Sequence, residues 1–209
     1  MKIAILLPYK ENFSPEYPGA VSIYVKDTSL CSKYKKNIKI YGSTNFKKRL
    51  LNNYINLPFK KELLKSSSKI YVENFLAEEN KNKSDIIEIH NRPSYILHIE
   101  KYAPKNKYIL VVHNNPQSLR GAVTPKDRKK LIKICSKIIF VSNWVKEKFF
   151  EGLDIKNHEN CQIVYPAINK ISKLPKKEKL ITFVGKLNHS KGYDTFGKAI
   201  IRILKKYKD

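Results

Sequence analysis

The sequence predicts an α/β protein built on a doubly wound parallel sheet. Short apolar runs recur from the first residues onward, and stretches with helical spacing of apolar residues separate them. The chain has 209 residues and is 42% hydrophobic, which is enough for a sizeable core. Strands that alternate with helices pair in parallel, because each helix carries the chain back to the starting edge of the sheet.

Six apolar runs are predicted as strands, at 3–7, 38–41, 86–89, 108–112, 138–141 and 163–165. The first run is too short for a signal peptide, and Pro8 follows it without a small-residue cleavage site. We therefore expect 3–7 to be a buried first strand. No run approaches the roughly 20 apolar residues of a membrane span.

Helices are predicted between these strands, at 21–31, 93–102, 125–135 and 143–150, from apolar residues that recur three and four positions apart. Ser142 directly precedes the last of them and is a favoured N-cap residue. No Gly-x-Ser-x-Gly motif surrounds Ser142, so we assign it a structural role and not that of a nucleophile.

The final part of the chain is predicted to begin a second domain. Residues 180–184 form an apolar run, Gly185 permits a tight turn, and a helical pattern follows. The lysine-rich stretch 170–179 has the composition of a solvated linker. We therefore expect a first domain at 1–169, the linker, and one strand–helix unit of a second, truncated domain at 180–209.

The net charge of +24 bears on the choice of partner, and 42 residues are Lys or Arg against 18 that are Asp or Glu. Only five of the basic residues are arginine. Proteins that read bases favour arginine, so nucleic-acid binding is disfavoured. Two explanations of the lysine excess stay open: codon use in an AT-rich genome, and an electropositive face for anionic lipid or phosphorylated glycan.

Cysteine and histidine spacing gives no metal signature. The three cysteines, Cys31, Cys135 and Cys161, are widely spaced and odd in number, which argues against a disulfide framework and indicates reduced core thiols. The five histidines show no metal-ligand spacing. We therefore expect neither a metal nor a cofactor.

Polar residues follow the predicted strands at the edge where ligands bind in doubly wound sheets. After 86–89 come His90, Asn91 and Arg92, with Glu88 inside the run. His113 and Asn114 follow 108–112, and Arg120 lies in the next loop. These groups can hydrogen-bond a sugar or a phosphate. Gly19 at a helix start lets a ligand approach backbone N–H groups.

Residues 183–187, Phe-Val-Gly-Lys-Leu, with Lys191-Gly192 and an apolar helix after them, resemble the opening of the donor-binding domain in family 4 glycosyltransferases. These are retaining enzymes with the two-domain GT-B fold, and each domain is Rossmann-like. Lys186 stands where the family usually has Arg. Residues 88–93, 111–116 and 141–144 resemble segments of the family's N-terminal domain.

The resemblance implies transfer of a sugar from a nucleotide-sugar donor to a glycan or lipid-linked acceptor in polysaccharide or lipopolysaccharide biosynthesis. His113 would contact the donor sugar near the reaction centre and is the expected catalytic residue. The expected ligands of the donor diphosphate are Gly19, Gly185, Lys186 and Lys191. The expected acceptor- or sugar-binding residues are Glu88, His90, Asn91, Arg92, Asn114 and Arg120.

The family's second domain carries a Glu pair that contacts the donor, and that part is missing from this sequence. We therefore expect the chain alone to be inactive, and a non-catalytic glycan-binding or scaffold remnant stays open as an alternative. The expected location is cytoplasmic, and peripheral contact with an anionic membrane stays open as one of the two explanations of the lysine excess. The lysines expected to make that contact are Lys47, Lys48, Lys60, Lys61 and Lys65. Apolar residues within 50–59 lie beside them, either in the core or at the membrane.

Overall fold

A computed structural model of the protein describes residues 1–59, 65–168, 176, 178, 180–185 and 187–207. The chain divides into two compact units, Met1–Ala167 and Ile168–Asp209. We describe each unit by itself.

The first unit is built on one parallel sheet of seven strands, in the order β3-β2-β1-β4-β5-β6-β7. The strands are β1 (Ile3–Leu6), β2 (Ile38–Gly42), β3 (Tyr54–Asn56), β4 (Ile86–His90), β5 (Lys107–Val112), β6 (Cys135–Phe140) and β7 (Cys161–Ile163). The strand order reverses between β1 and β4, so the carboxyl ends of these strands flank the crevice in which such sheets bind ligands.

Helices cover both faces of the sheet. The first unit contains α1 (Ala20–Cys31), α2 (Ser67–Asn82), α3 (Pro93–Ile99), α4 (Pro125–Ile134) and α5 (Asn143–Phe150), and the second unit contains α6 (Tyr193–Lys206). Side chains alternate along β1 and the residue after it: Ile5 and Leu7 pack with α1, whereas Ala4 and Leu6 belong to the larger core cluster with α2 to α5. This confirms the predicted α/β, Rossmann-like fold class.

Local sequence signals set the helix ends. Ser142 Oγ accepts a hydrogen bond from the backbone N–H of Val145 at 3.2 Å, which confirms its predicted role as N-cap of α5. At α4, Thr124 and Asp127 form a capping box, because each side chain accepts from the other's backbone N–H. Pro125 occupies the first turn, where its missing N–H costs nothing.

Sequence reasoning missed one strand and one helix. β3 has three residues and pairs only with β2, so its apolar pattern is too short to detect. α2 buries Tyr71 and Phe75, but polar residues between its apolar ones obscure the helical period. The run predicted at 163–165 is also shifted, since β7 ends at Ile163.

One prediction on side-chain exposure needs correction, and one alternative left open by the sequence is decided. Cys31 is exposed at the end of α1, so only Cys135 and Cys161 are buried thiols. Beside the lysine patch, Leu57 is 1% exposed and Phe59 packs against the ring of Tyr9, with centroids 4.9 Å apart. These apolar residues belong to the protein's own packing. Lys60 and Lys61 lie outside the described residues.

In the second unit, the predicted strand at 180–184 does not form, whereas the helix after it does, as α6. Leu180 is 74% and Val184 91% exposed. A strand needs a neighbour for its backbone hydrogen bonds, and no strand of the described part of this unit supplies one. The division into domain, linker and truncated domain stays a prediction, since most of 170–179 lies outside the described residues.

Candidate functional site at the carboxyl edge of the sheet

The carboxyl ends of β4 and β5 bring two histidines together. β4 and β5 are paired in register, with His90 opposite Val111. His113 begins the loop just beyond β5, so both imidazoles lie at the same edge of the sheet. His90 is fully buried and His113 is partly exposed.

Glu88, His90 and His113 form a hydrogen-bonded series, which we call the relay. Glu88 Oε1 lies 2.8 Å from His90 Nε2, and His90 Nδ1 lies 2.9 Å from His113 Nε2. The bonds run in sequence from one side chain to the next and do not converge on a point. Consistent with this, no group of His, Cys, Asp and Glu side chains in the described ranges is arranged to hold a metal ion.

The relay fixes the tautomer of both imidazoles. A carboxylate only accepts hydrogen bonds, so we assign the proton of His90 to Nε2, which donates to Glu88. His90 Nδ1 is then an acceptor, and His113 must donate to it from Nε2. His113 Nδ1 therefore carries a lone pair. The relay presents a hydrogen-bond acceptor at the edge of the sheet.

The surroundings keep His113 neutral. Burial lowers the pKa of His113 from 6.5 to about 3, and the positive charge that His90 carries when it is protonated contributes a smaller part. The ring of Tyr24, on α1, meets that of His113 edge-on, with centroids 4.9 Å apart at 88°. Burial and the Glu88 charge raise the pKa of Tyr24, so its hydroxyl also stays neutral. His113 cannot serve as a cation at physiological pH.

Asn91 fixes the loop that carries His113. Its side-chain Oδ1 accepts from the backbone N–H of His113 at 2.8 Å and of Asn114 at 3.2 Å. Its own backbone has φ +52°, a left-handed conformation that Asn tolerates better than most residues. Asn91 is 5% exposed, so it holds the loop and has little surface left for a ligand.

Arg92 and Arg120 lie around the start of α3. Arg92 Nη1 donates to the carbonyl of Asn91 at 2.9 Å. The carbonyl of Arg120 accepts from the N–H of Ser94 at 3.1 Å. Gly121 makes this approach possible, because its φ is +91° and a Cβ there would lie 2.6 Å from the Ser94 nitrogen. The backbone at Arg120 is thus fixed against α3, while its side chain is exposed.

At Gly19 the structure places a carboxylate where we expected the donor diphosphate. Glu11 Oε1 accepts from the N–H of Ser22 at 3.0 Å, within the first turn of α1. A Cβ on Gly19 would lie 1.9 Å from the same oxygen, so Gly19 makes room for this side chain. Glu11 already satisfies the positive end of the helix dipole. A phosphate group bound there must displace it.

Two of the predicted diphosphate ligands lie close together in the second unit. A Cβ on Gly185 would lie 3.6 Å from Cβ of Lys191. Lys191 ends a short 3-10 helix and is exposed, and Gly192 after it has φ +70°. Lys186 lies outside the described residues.

Sequence reasoning missed Tyr24 and Glu11. Tyr24 recurs at helical spacing with Val21 and Val25, so its aromatic ring is predicted only as part of a packed face. Glu11 lies in the loop before α1, and nothing in its local sequence indicates that it returns to the helix start. Both roles depend on tertiary contacts.

Solved structures share this fold. HepE of Anabaena matches in its structures with UDP and with UDP-glucose, at a TM-score of 0.55 in both and identities of 13% and 9%. Each match covers 81% of this chain and 45% of HepE. Sucrose-phosphate synthase of Thermosynechococcus elongatus matches at a TM-score of 0.51 and 11% identity, over 79% of this chain and 48% of the synthase.

These likenesses show the fold alone, and the chain spans a little under half the length of both proteins. No protein-family model matches the chain, and no curated protein sequence does. Within the described ranges, no helix is both long and apolar enough to cross a bilayer.

Proposed function

We propose that this chain is the acceptor-side part of a glycosyltransferase that moves a sugar from a nucleotide sugar to a glycan or lipid-linked acceptor with retention of configuration. The observation that carries the proposal is the relay, which ends in a neutral, partly exposed imidazole at the carboxyl edge of a Rossmann-like sheet. The likeness in fold to HepE, whose structures hold UDP and UDP-glucose, supports the choice of donor class.

In this proposal His113 positions the donor sugar. Its Nδ1 lone pair accepts a hydrogen bond from a sugar hydroxyl, which orients the ring for reaction. A neutral imidazole suits this task, because it neither repels the cationic character that develops on the sugar nor competes for the departing diphosphate. Glu88 and His90 are positioning residues that act through His113.

In this proposal, groups other than His113 stabilise the negative charge of the departing diphosphate. We propose Lys186 and Lys191 as its cationic ligands and Gly185 as the residue that lets the backbone come close. Gly19 belongs to this group only when Glu11 moves away from Ser22. Arg92, Asn114 and the exposed side chain of Arg120 remain as the proposed contacts of the acceptor.

The test is a binding and turnover experiment in two parts. The 209-residue chain is titrated with UDP-, GDP- and ADP-sugars while the ring signals of His113 are followed by NMR. The protein expressed from the complete open reading frame that contains this sequence is then assayed for release of the free nucleotide. We expect one nucleotide sugar to shift the His113 signals and to be turned over.

The outcomes separate two functions. A free sugar or glycan that shifts His113, with no response to any nucleotide sugar and no turnover, would indicate a glycan-binding protein and overturn the proposal. For substitutions of His113, the matched control is His158→Gln, which changes a histidine outside the relay. His158 is also hydrogen-bonded, to Asn160 at 2.7 Å, but it lies at the amino end of β7.

A further inference from the structure

A small pocket opens beside the start of α3, on the face of the sheet that α2 and α3 cover. It measures about 200 Å³ and three segments form it: the first turn of α2, α3 itself, and the loop after β5. The residues that line it and carry polar side-chain groups are Ser66, Ser68, Lys69, Ser94, Tyr95, His98 and Arg120. The pocket is large enough for several water molecules, and therefore for one small polar group.

The chemistry of the lining is cationic and rich in hydroxyls. Lys69 and Arg120 supply two positive charges, and none of the described lining residues is acidic. Glu73, the first acidic residue on α2, lies outside the lining and is paired with Lys65, with Nζ and Oε2 3.0 Å apart, and its charge also interacts with Lys69 and His98. An anion that entered the pocket would meet Arg and Lys without a competing carboxylate from the lining.

One buried atom of the lining lacks a partner. The Nε2 of His98 is buried without a hydrogen bond to any described residue. Leaving a buried polar atom unpaired costs free energy, so a ligand that hydrogen-bonds to this nitrogen would remove that cost without breaking an existing bond. His98 can donate from Nε2 to an anionic oxygen.

The frame of the pocket is fixed before any ligand arrives. Ser94 and Arg120 are joined through the backbone at 3.1 Å, and the left-handed Gly121 holds that contact. The hydroxyl of Tyr95, another lining residue, accepts from the backbone N–H of Tyr9 at 3.3 Å. A preformed frame lowers the ordering cost of binding.

We propose that this pocket binds a phosphate group, and that in the glycosyltransferase proposed above the group belongs to the acceptor. The structure favours phosphate because two cationic side chains, three serine hydroxyls and an imidazole with an unpaired nitrogen line one small cavity. The acceptor part rests on the proposed function, because Arg120 and His113 lie on the same connection between β5 and α4, at the carboxyl edge of the sheet.

The experiment titrates the 209-residue chain with inorganic phosphate, glycerol 3-phosphate and glucose at constant ionic strength. The ring signals of His98 report on the pocket, and those of His113 report on the relay. We expect both phosphates to shift His98 saturably, glycerol 3-phosphate to bind more tightly, and glucose to leave His98 unchanged.

The variant that tests the site is Lys69→Gln with Arg120→Gln. Both side chains are exposed, so the fold should persist, and we expect roughly tenfold weaker phosphate binding or more. The matched control, Lys105→Gln with Arg202→Gln, removes the same charges. Lys105 lines a groove at the amino end of the sheet with Ile86 and Lys107, and Arg202 lies on α6. The control should bind as the wild type does.

Three results would overturn the inference: no shift of His98 by either phosphate, equal binding by the double variant, or equal weakening by the control. Equal affinity for both phosphates would confine the site to the free ion and overturn the acceptor part. A nucleotide sugar that shifts His113 while phosphate leaves His98 unchanged would reject the pocket and leave the proposed function standing.

Discussion

The imidazoles of His90 and His113 are joined by a nitrogen-to-nitrogen contact of 2.9 Å. Because Glu88 accepts from the opposite side of His90, the direction of every proton in the series is determined. A buried carboxylate-linked imidazole thus controls which nitrogen of a second, partly exposed imidazole is free. Orientation of this kind is what positioning of a substrate hydroxyl requires.

The first prediction concerns His113 itself. In the protein expressed from the complete open reading frame, His113→Ala should lower turnover of the nucleotide sugar by about 10²-fold, by analogy with the loss of one transition-state hydrogen bond. The measurement is steady-state kcat and KM. A loss below threefold would return His113 to a structural role.

The second prediction concerns the tautomer. Glu88→Leu removes the acceptor of His90, so His90 and His113 should exchange between tautomers, whereas Glu88→Gln keeps an acceptor oxygen and should preserve the wild-type state. Nitrogen-15 spectra of the imidazoles measure this directly. If His113 in the Leu variant still shows a protonated Nε2 and a bare Nδ1, the relay does not set its tautomer.

The third prediction is a pH dependence of stability. The pKa of His113 falls from 6.5 to about 3 on folding. Between these two pH values, the unfolded chain therefore binds a proton on His113 that the folded chain does not bind. The contribution of His113 to the free energy of unfolding is constant above about pH 6.5 and falls as the pH drops toward about 3, by at most about 1.4 kcal/mol per pH unit. Urea titrations at several pH values should show a shallower fall for His113→Gln. Identical slopes would contradict the shift.

The fourth prediction concerns Glu11. Glu11→Gln keeps an oxygen that can accept from Ser22 but removes the negative charge from the start of α1. Pyrophosphate should then perturb the Ser22 amide at roughly fivefold lower concentration, since a nearby like charge costs about 1 kcal/mol even in water. Glu16→Gln, on the same loop but exposed, is the control. No gain over that control would exclude this end of α1 as the diphosphate site.

The fifth prediction concerns stability. Arg128 is 2% exposed, and its guanidinium donates to the carbonyls of Ala122 at 2.9 Å, Val123 at 2.7 Å and Glu151 at 2.6 Å. Arg128→Met should therefore lower the free energy of unfolding by about 2–4 kcal/mol, because it leaves buried carbonyls unpaired. Arg202→Met on exposed α6 should change it by less than about 0.5 kcal/mol. Equal midpoints in denaturant would disprove the role.

The sequence predicted the fold class and most strands, because apolar period and length are local properties. It also placed Glu88, His90 and His113 at strand ends. It could not show that His90 and His113 touch, since that depends on β4 and β5 being neighbours in register. The contacts of Tyr24 with His113 and of Glu11 with Ser22 could not be predicted for the same reason, because tertiary structure brings each pair together. The predicted strand at 180–184 failed because a strand exists only with a partner.

The hydrogen bonds that Arg128 donates should be insensitive to pH and to salt. Its three partners are backbone carbonyls, which neither titrate nor attract counterions from solution. By contrast, the solvent-accessible ion pair of Lys148 and Glu151, with Nζ and Oε2 2.6 Å apart, is lost when acid protonates the carboxylate and is weakened by high salt. The hydrogen bonds of Arg128, which join the loop after β5 to the end of α5, should therefore persist under conditions that break such ion pairs. The loop that carries Arg120 should stay ordered at high salt and at low pH until the domain itself unfolds.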